Sequence, residues 1–167
     1  AIIAKYGTPL KLTYLPKIGM QIKKAKQMFA TAFKKHKYEG KYFYCYCTKS
    51  SHFSFVVEEA LKNDIHLETS YAYDIEIIKK LYARKKITKE THIICNGFKQ
   101  KGYTRRIAGL LNSGFTNVIP VLDNKDELKD YATSVKVPFK LGIRVAAEEE
   151  PNFPFYTSRL GIRAKDI

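Results

Sequence analysis

The spacing of apolar residues changes repeatedly along the chain, and each change marks an element. Across residues 18–36 the positions Ile18, Ile22, Ala25, Met28, Phe29, Ala32 and Phe33 recur at helical spacing. Residues 9–15 alternate moderately between apolar and polar and predict a short strand. Gly40 interrupts the helical pattern, and the run Tyr42-Phe43-Tyr44-Cys45-Tyr46-Cys47-Thr48 then reads as a compact strand that ends at Lys49. Beyond Lys49 the two periods alternate. Helices are predicted over 53–62, 73–83, 103–112 and 125–133, and strands over 65–69, 92–96, 117–122 and 139–146. Gly97 and Gly114 close a strand and a helix, and Asp123 or Asn124 is placed to cap the helix that follows.

Strands separated by single helices and short connections are the pattern of βαβ units on a parallel sheet. The strands are apolar runs, which predicts that both of their faces are buried. Such units either curl toward a (β/α)₈ barrel or lie open in a doubly wound sheet. The loops contain neither G-x-G-x-x-G nor G-x-x-x-x-G-K-[ST], so no Rossmann or P-loop nucleotide site is supported. The strands are too few to close a barrel. The expected fold class is therefore α/β, a partial (β/α)₈ barrel of about the first five strand-helix units.

Composition changes this picture in three places. With 167 residues, 45% hydrophobic, the chain suits one globular domain or part of a larger one. No signal peptide and no apolar run of membrane-spanning length is present. The 30 basic against 16 acidic residues give a net charge of +14, which raises nucleic acid as a partner. The lysines, however, come in short groups such as Lys23-Lys24, Lys34-Lys35, Lys79-Lys80 and Lys85-Lys86, on or just after helices. That is the pattern of solvated helix faces and argues against a nucleic-acid function. Cys45, Cys47 and Cys95 lie inside predicted strands without C-x-x-C spacing, so they read as free thiols in a reducing cytoplasm, and no metal site is expected.

In a (β/α) barrel the chemistry lies at the C-terminal ends of the strands. This chain places Lys49, Glu68, Asn96, Asp123 and Arg144 there in succession. A lysine delivered by an apolar strand can form a Schiff base with a carbonyl, or simply cap the strand and reach for solvent. Asp123 reads first as a helix cap, and Asn96 before Gly97 reads equally as a turn residue. Arg144, between Ile143 and Val145, must find an acidic or hydrogen-bonding partner, and Glu68 is one candidate. The lone His36 and His52 carry no assigned role.

Six segments, in order from residue 6 to residue 162, resemble the fold-type III pyridoxal-phosphate decarboxylases, above all their biosynthetic arginine decarboxylase branch. They are Tyr6-Gly7-Thr8-Pro9-Leu10, Tyr46-Cys47-Thr48-Lys49-Ser50-Ser51, Leu67-Glu68-Thr69-Ser70, Ile93-Ile94-Cys95-Asn96-Gly97-Phe98-Lys99, Gly142-Ile143-Arg144 and Ser158-Arg159-Leu160-Gly161-Ile162. The resemblance implies a cytoplasmic enzyme that uses pyridoxal 5'-phosphate and decarboxylates arginine to agmatine for polyamine and spermidine synthesis. Lys49 would be its catalytic Schiff-base lysine. Glu68 would stand beside the cofactor, Arg144 would reach the ring's phenolic oxygen, and Ser158 its phosphate. It also implies a small amino-acid substrate, a homo-oligomer, and a division of the chain into 1–40, leading in, and 41–167, the first part of the cofactor-binding barrel. On this reading the chain is an N-terminal fragment, the second barrel half and a β-domain lying further along. Ornithine or diaminopimelate decarboxylation is the near alternative, and a non-enzymatic basic α/β domain the distant one.

Overall fold

The computed structural model describes residues 1–146 and 160–167. Five parallel strands form one sheet: β1 (Cys45–Cys47), β2 (His66–Thr69), β3 (Ile93–Cys95), β4 (Val118–Leu122) and β5 (Gly142–Ile143). Their order in the sheet is their order in the chain. A doubly wound sheet reverses strand order at a switch point and carries helices on both faces. Here no reversal occurs and every strand neighbours the next, which is the wall of an α/β barrel.

The helices α1 (Ile2–Tyr6), α2 (Pro16–His36), α3 (Ser54–Leu61), α4 (Asp74–Ala83), α5 (Lys101–Asn112) and α6 (Asp126–Ser134) alternate with these strands once β1 has begun. The helix α4 shows why such segments fold as they do. Ile75, Ile78 and Leu81 make one buried stripe, while Asp74 and Glu76 in the first turn and Lys80 in the last complement the helix dipole. Val57, Ile78, Ile107, Leu110 and Tyr131 from α3 to α6 meet Leu67, Ile93, Cys95, Val118 and Leu122 from the strands in one core. Each fully buried aliphatic side chain contributes about 2 kcal/mol of transfer free energy.

Burial alternates along the strands. Leu67, Thr69, Ile93, Cys95, Val118 and Leu122 are buried under the helices, whereas His66, Glu68, Ile94, Ile119 and Val121, on the opposite face, are only half-buried. The expectation that both faces are covered is therefore corrected: among the described residues, nothing covers the concave face.

Three other expectations change. Residues 9–15 form no strand, and Leu10, Leu12 and Tyr14 are exposed. An alternating segment becomes a strand only when a partner completes its ladder, and no described strand lies beside it. The last strand shrinks from 139–146 to Gly142–Ile143, with Val145 bridged in parallel to Ile162. The first strand ends at Cys47, and Lys49 belongs to the 3₁₀ turn Thr48–Ser50 that follows.

The helix α2 lies outside this wall. Of its 21 residues only Ile22 is buried, in a small cluster with Ala60 and Ile65. Lys26 fastens it to the loop after α3, donating to the carbonyls of Asn63 (2.8 Å) and Asp64.

Candidate active site

The parallel register brings the C-terminal ends of the strands to one rim. Cys47 lies opposite Glu68, Thr69 opposite Cys95, and Cys95 opposite Pro120, so the loops after β1 to β4 begin side by side. Lys49 is exposed in the turn after β1. Its neighbour Thr48 is fully buried and donates from Oγ1 toward both the Glu68 carbonyl (3.0 Å) and Asp74 Oδ2 (2.8 Å). The lysine thus stands in solvent on a base that does not.

Glu68 points to the concave face. Its Oε1 accepts from the Cys47 thiol at 3.6 Å and from Asn96 Nδ2 at 3.4 Å. These two weak donors hold the carboxylate between β1 and β3. Burial first, and the Glu68 charge second, push the Cys47 thiol upward. The same two causes take Cys45 to about 11. Both therefore remain thiols near neutral pH and act as donors or filler rather than nucleophiles. Cys95, under the helices, is likewise held at about 11 by burial. All three are free.

Asn96 also accepts from the Gly97 amide (2.9 Å), and Gly97 has φ +79. A Cβ at Gly97 would come to 3.3 Å from the Ser70 carbonyl, so this turn packs directly against the loop after β2. Lys99 then turns inward. Its side chain is fully buried, with Nζ donating to Glu127 Oε2 (3.1 Å), to the Gly97 carbonyl (2.8 Å) and to the Val121 carbonyl. Glu127 also accepts from the amides of Lys99 and Asp123 and from Asn124 Nδ2. Every donor of the ammonium and both oxygens of the carboxylate are used, which is the condition for tolerating such a pair in a core.

Asp123 is buried, and its Oδ1 lies 3.5 Å from Arg144 NH1. It does not cap α6. That task falls to Asn124, whose Oδ1 accepts from the amides of Asp126 (3.0 Å) and Glu127 (3.2 Å). Arg144 lies just past β5, donates its amide to the Leu122 carbonyl (2.9 Å), and has about a third of its side chain exposed. Its acidic partner is thus Asp123 on the adjacent strand end, not Glu68, because the guanidinium reaches one strand and not three. Ser158 lies outside the described residues. Just past it, Ile162 donates to the Arg144 carbonyl at 2.8 Å, and Gly161, φ +94, has no room for a Cβ beside that carbonyl.

The structure therefore gathers Lys49, Glu68, Asn96, Asp123 and Arg144 on one rim. It adds Thr48, Asp74, Lys99 and Glu127, to which the sequence analysis assigned no role. A surface cavity of about 550 Å³ lined by Tyr82, Ile87 and Lys89 follows α4, on the side where β3 begins, away from this rim. No group of three or more His, Cys, Asp or Glu side chains suited to a metal ion occurs among the described residues. No helix there is long and apolar enough to cross a membrane.

No described protein family matches the sequence. No curated protein matches it either. Among solved structures, the fold is similar to the crystal structure of the biosynthetic arginine decarboxylase SpeA from Campylobacter jejuni, with a TM-score of 0.63 and 21% identity. The likeness covers 78% of this chain and 22% of that one. At this identity it establishes the fold, an α/β barrel wall like part of that enzyme.

Proposed function

We propose that this chain is the lysine-bearing part of a pyridoxal-phosphate-dependent amino-acid decarboxylase that converts arginine to agmatine in polyamine synthesis, working as a homo-oligomer. The observation that carries the reading is the rim itself. An exposed primary amine after β1, a carboxylate on β2 held by a thiol and an amide, and a guanidinium after β5 beside a buried aspartate all stand at the C-terminal ends of strands of one sheet. The likeness to an arginine decarboxylase supports it at the level of fold.

The donor set suits pyridoxal phosphate. Lys49 offers a solvent-facing amine for a carbonyl, Glu68 a charge beside it, and Arg144 a cation for an anionic ring oxygen. Ser158 is proposed for the phosphate. When bound, the cofactor supplies an electron sink for the pair left as carbon dioxide departs. The protein's part is orientation. Asn96 and Cys47 fix the Glu68 carboxylate between β1 and β3. Asp123, 3.5 Å from the guanidinium, orients the part-exposed Arg144 toward the end of β4. From β1 to β5 the rim spans four strand spacings, about 19 Å along the sheet.

The test is reduction with borohydride in the presence of pyridoxal phosphate, followed by peptide mass analysis of the full-length protein. A phosphopyridoxyl adduct on Lys49, with agmatine formed from arginine, is the expected result. A folded protein with no adduct on Lys49 overturns the proposal. Release of carbon dioxide from ornithine or diaminopimelate instead of arginine would keep the chemistry and change the substrate.

A further inference from the structure

The carboxylate of Asp74 is 2% exposed and lies directly behind the turn that carries Lys49. Its partners are unusual for an acid in the first turn of a helix. An N-terminal aspartate normally accepts from amides of its own helix. Asp74 instead accepts on Oδ2 from the amides of Ser70 (2.8 Å) and Tyr71 (3.2 Å), which precede α4, and from Thr48 Oγ1 (2.8 Å). On Oδ1 it meets His52 Nε2 at 3.0 Å. Thr48 is the residue before Lys49, and His52 follows three residues after it. One buried carboxylate thus grips the lysine-bearing segment on both sides.

The rest of that segment has little to hold it. Ser51 donates to the Thr48 carbonyl at 3.1 Å, and Tyr46 Oη donates to the Ser51 carbonyl at 3.2 Å. Lys49 itself is exposed and Ser50 is exposed beside it. A three-residue 3₁₀ turn is too short to orient a long side chain without outside support. Thr48 also shares its hydroxyl with the Glu68 carbonyl, so the same clamp fixes the end of β1 against the end of β2.

We propose that Asp74 is a positioning residue for Lys49, acting through Thr48 and His52 to hold the amine at the rim. The inference rests on the function proposed above and deepens it: Asp74 touches neither cofactor nor substrate and sets where the amine stands. Burying a carboxylate costs several kcal/mol unless it is fully bonded. Here its bonds go to the Lys49 segment and to the loop between β2 and α4, rather than to the helix Asp74 begins.

The experiment uses the full-length protein and three variants. Thr48→Val keeps the shape of the side chain and removes the hydroxyl, Thr48→Ser restores it, and His52→Ala removes the half-exposed second grip. Two readouts are taken beside thermal stability: the rate of borohydride-trapped phosphopyridoxyl adduct at Lys49, by peptide mass, and amide exchange of the segment 47–52. Thr48→Val is expected to slow capture at Lys49 about tenfold or more, with Thr48→Ser within about twofold of the parent. His52→Ala shifts capture in the same direction by less, and serves alone if Thr48→Val does not fold. Both weakened variants lose amide protection in 47–52. Capture at the parental rate in Thr48→Val and in His52→Ala overturns the proposal, whatever the exchange shows. If the parent protein itself captures nothing at Lys49, the enzyme reading falls and this inference with it. Exchange would still report whether the clamp exists, so the two failures are distinguishable.

Discussion

The C-terminal ends of β1–β5 carry charge, and the N-terminal ends carry rings. At the first lie Lys49, Glu68, Asp123 and Arg144, with the buried Asp74 and the Lys99–Glu127 pair behind them. At the second, His66 and His92 stand edge to face with centroids 4.5 Å apart, and Phe43 packs on His92 at 4.5 Å and on His66 at 5.3 Å. His66 Nδ1 accepts from the His92 amide, and the buried His92 Nδ1 has no partner among the described residues. One rim invests buried polar groups in holding exposed ones at fixed positions. The other packs its rings against one another. The difference is what separates a site from an edge, and substitutions at the two rims should fail in different ways.

The largest effect is expected at Lys49. Replacement by Met leaves an exposed turn residue in place, so stability should change by less than about 0.5 kcal/mol. If the proposed function holds, decarboxylation by the full-length protein should fall by on the order of 10³-fold or more, since the Schiff-base amine is removed. Urea unfolding and agmatine formation, measured on one preparation, separate the two. Loss of fold together with activity would erase the contrast between the rims.

Lys99→Met should do the reverse. It strands the Glu127 carboxylate, 3% exposed, and leaves the Gly97 and Val121 carbonyls without their donor, at a cost of about 3–5 kcal/mol in the unfolding free energy measured by urea titration. The double variant Lys99→Met with Glu127→Leu should recover much of that loss, because it removes the orphaned charge. No recovery would mean that the pair's carbonyl bonds, and not its charge balance, hold the loops after β3 and β4 together.

How far this architecture can be read from sequence differs between its parts. The predicted helices over 73–83 and 103–112 and the strand over 65–69 fall within two residues of α4, α5 and β2, because their periodicity is produced by the core they face. Lys49, Glu68, Asn96 and Arg144 were legible as strand-end residues. Asp123 and Asn124 were not separable: adjacent residues of similar cap propensity take opposite roles, and only the turn's geometry sends one to α6 and the other to Arg144. Asp74 and Glu127 read as ordinary acids of a first helical turn. Nothing local says that their partners lie 26 and 28 residues back along the chain. The strand expected over 9–15 failed for a related reason, since alternation records what a segment could pair with and not whether a partner is there.

Arg144→Gln sharpens the charged rim further. It keeps a hydrogen-bonding side chain but loses the cation that Asp123 orients. Affinity for pyridoxal phosphate should weaken roughly tenfold to a hundredfold, the worth of one charge-assisted hydrogen bond, with little change in the urea midpoint. Fluorescence titration of the cofactor into the full-length protein measures it. An unchanged affinity would remove Arg144 from the cofactor's contacts and leave it as a partner for Asp123 alone.

The smallest effect belongs to the ring-bearing rim. Burial, with the His92 charge next, holds the His66 imidazole below its ordinary range. Burial, then Lys140, does the same to His92. A depressed histidine binds fewer protons in the folded chain than in the unfolded one. Its contribution to stability is therefore complete above the ordinary histidine range near 6.5, and is lost as pH falls through that range. His92→Phe keeps the ring contacts with Phe43 and the backbone amide that His66 accepts from, and it removes both the proton site and the orphaned nitrogen. Its unfolding free energy should match or exceed the parent's by up to about 1 kcal/mol at pH 7.5, the upper part of that range reflecting the unsatisfied Nδ1. The gap should widen between pH 7 and pH 5, because only the parent pays to keep a second imidazole neutral. Parallel pH profiles would show that His92 titrates as it does in the unfolded chain, and its proton site would then carry no pH dependence of stability.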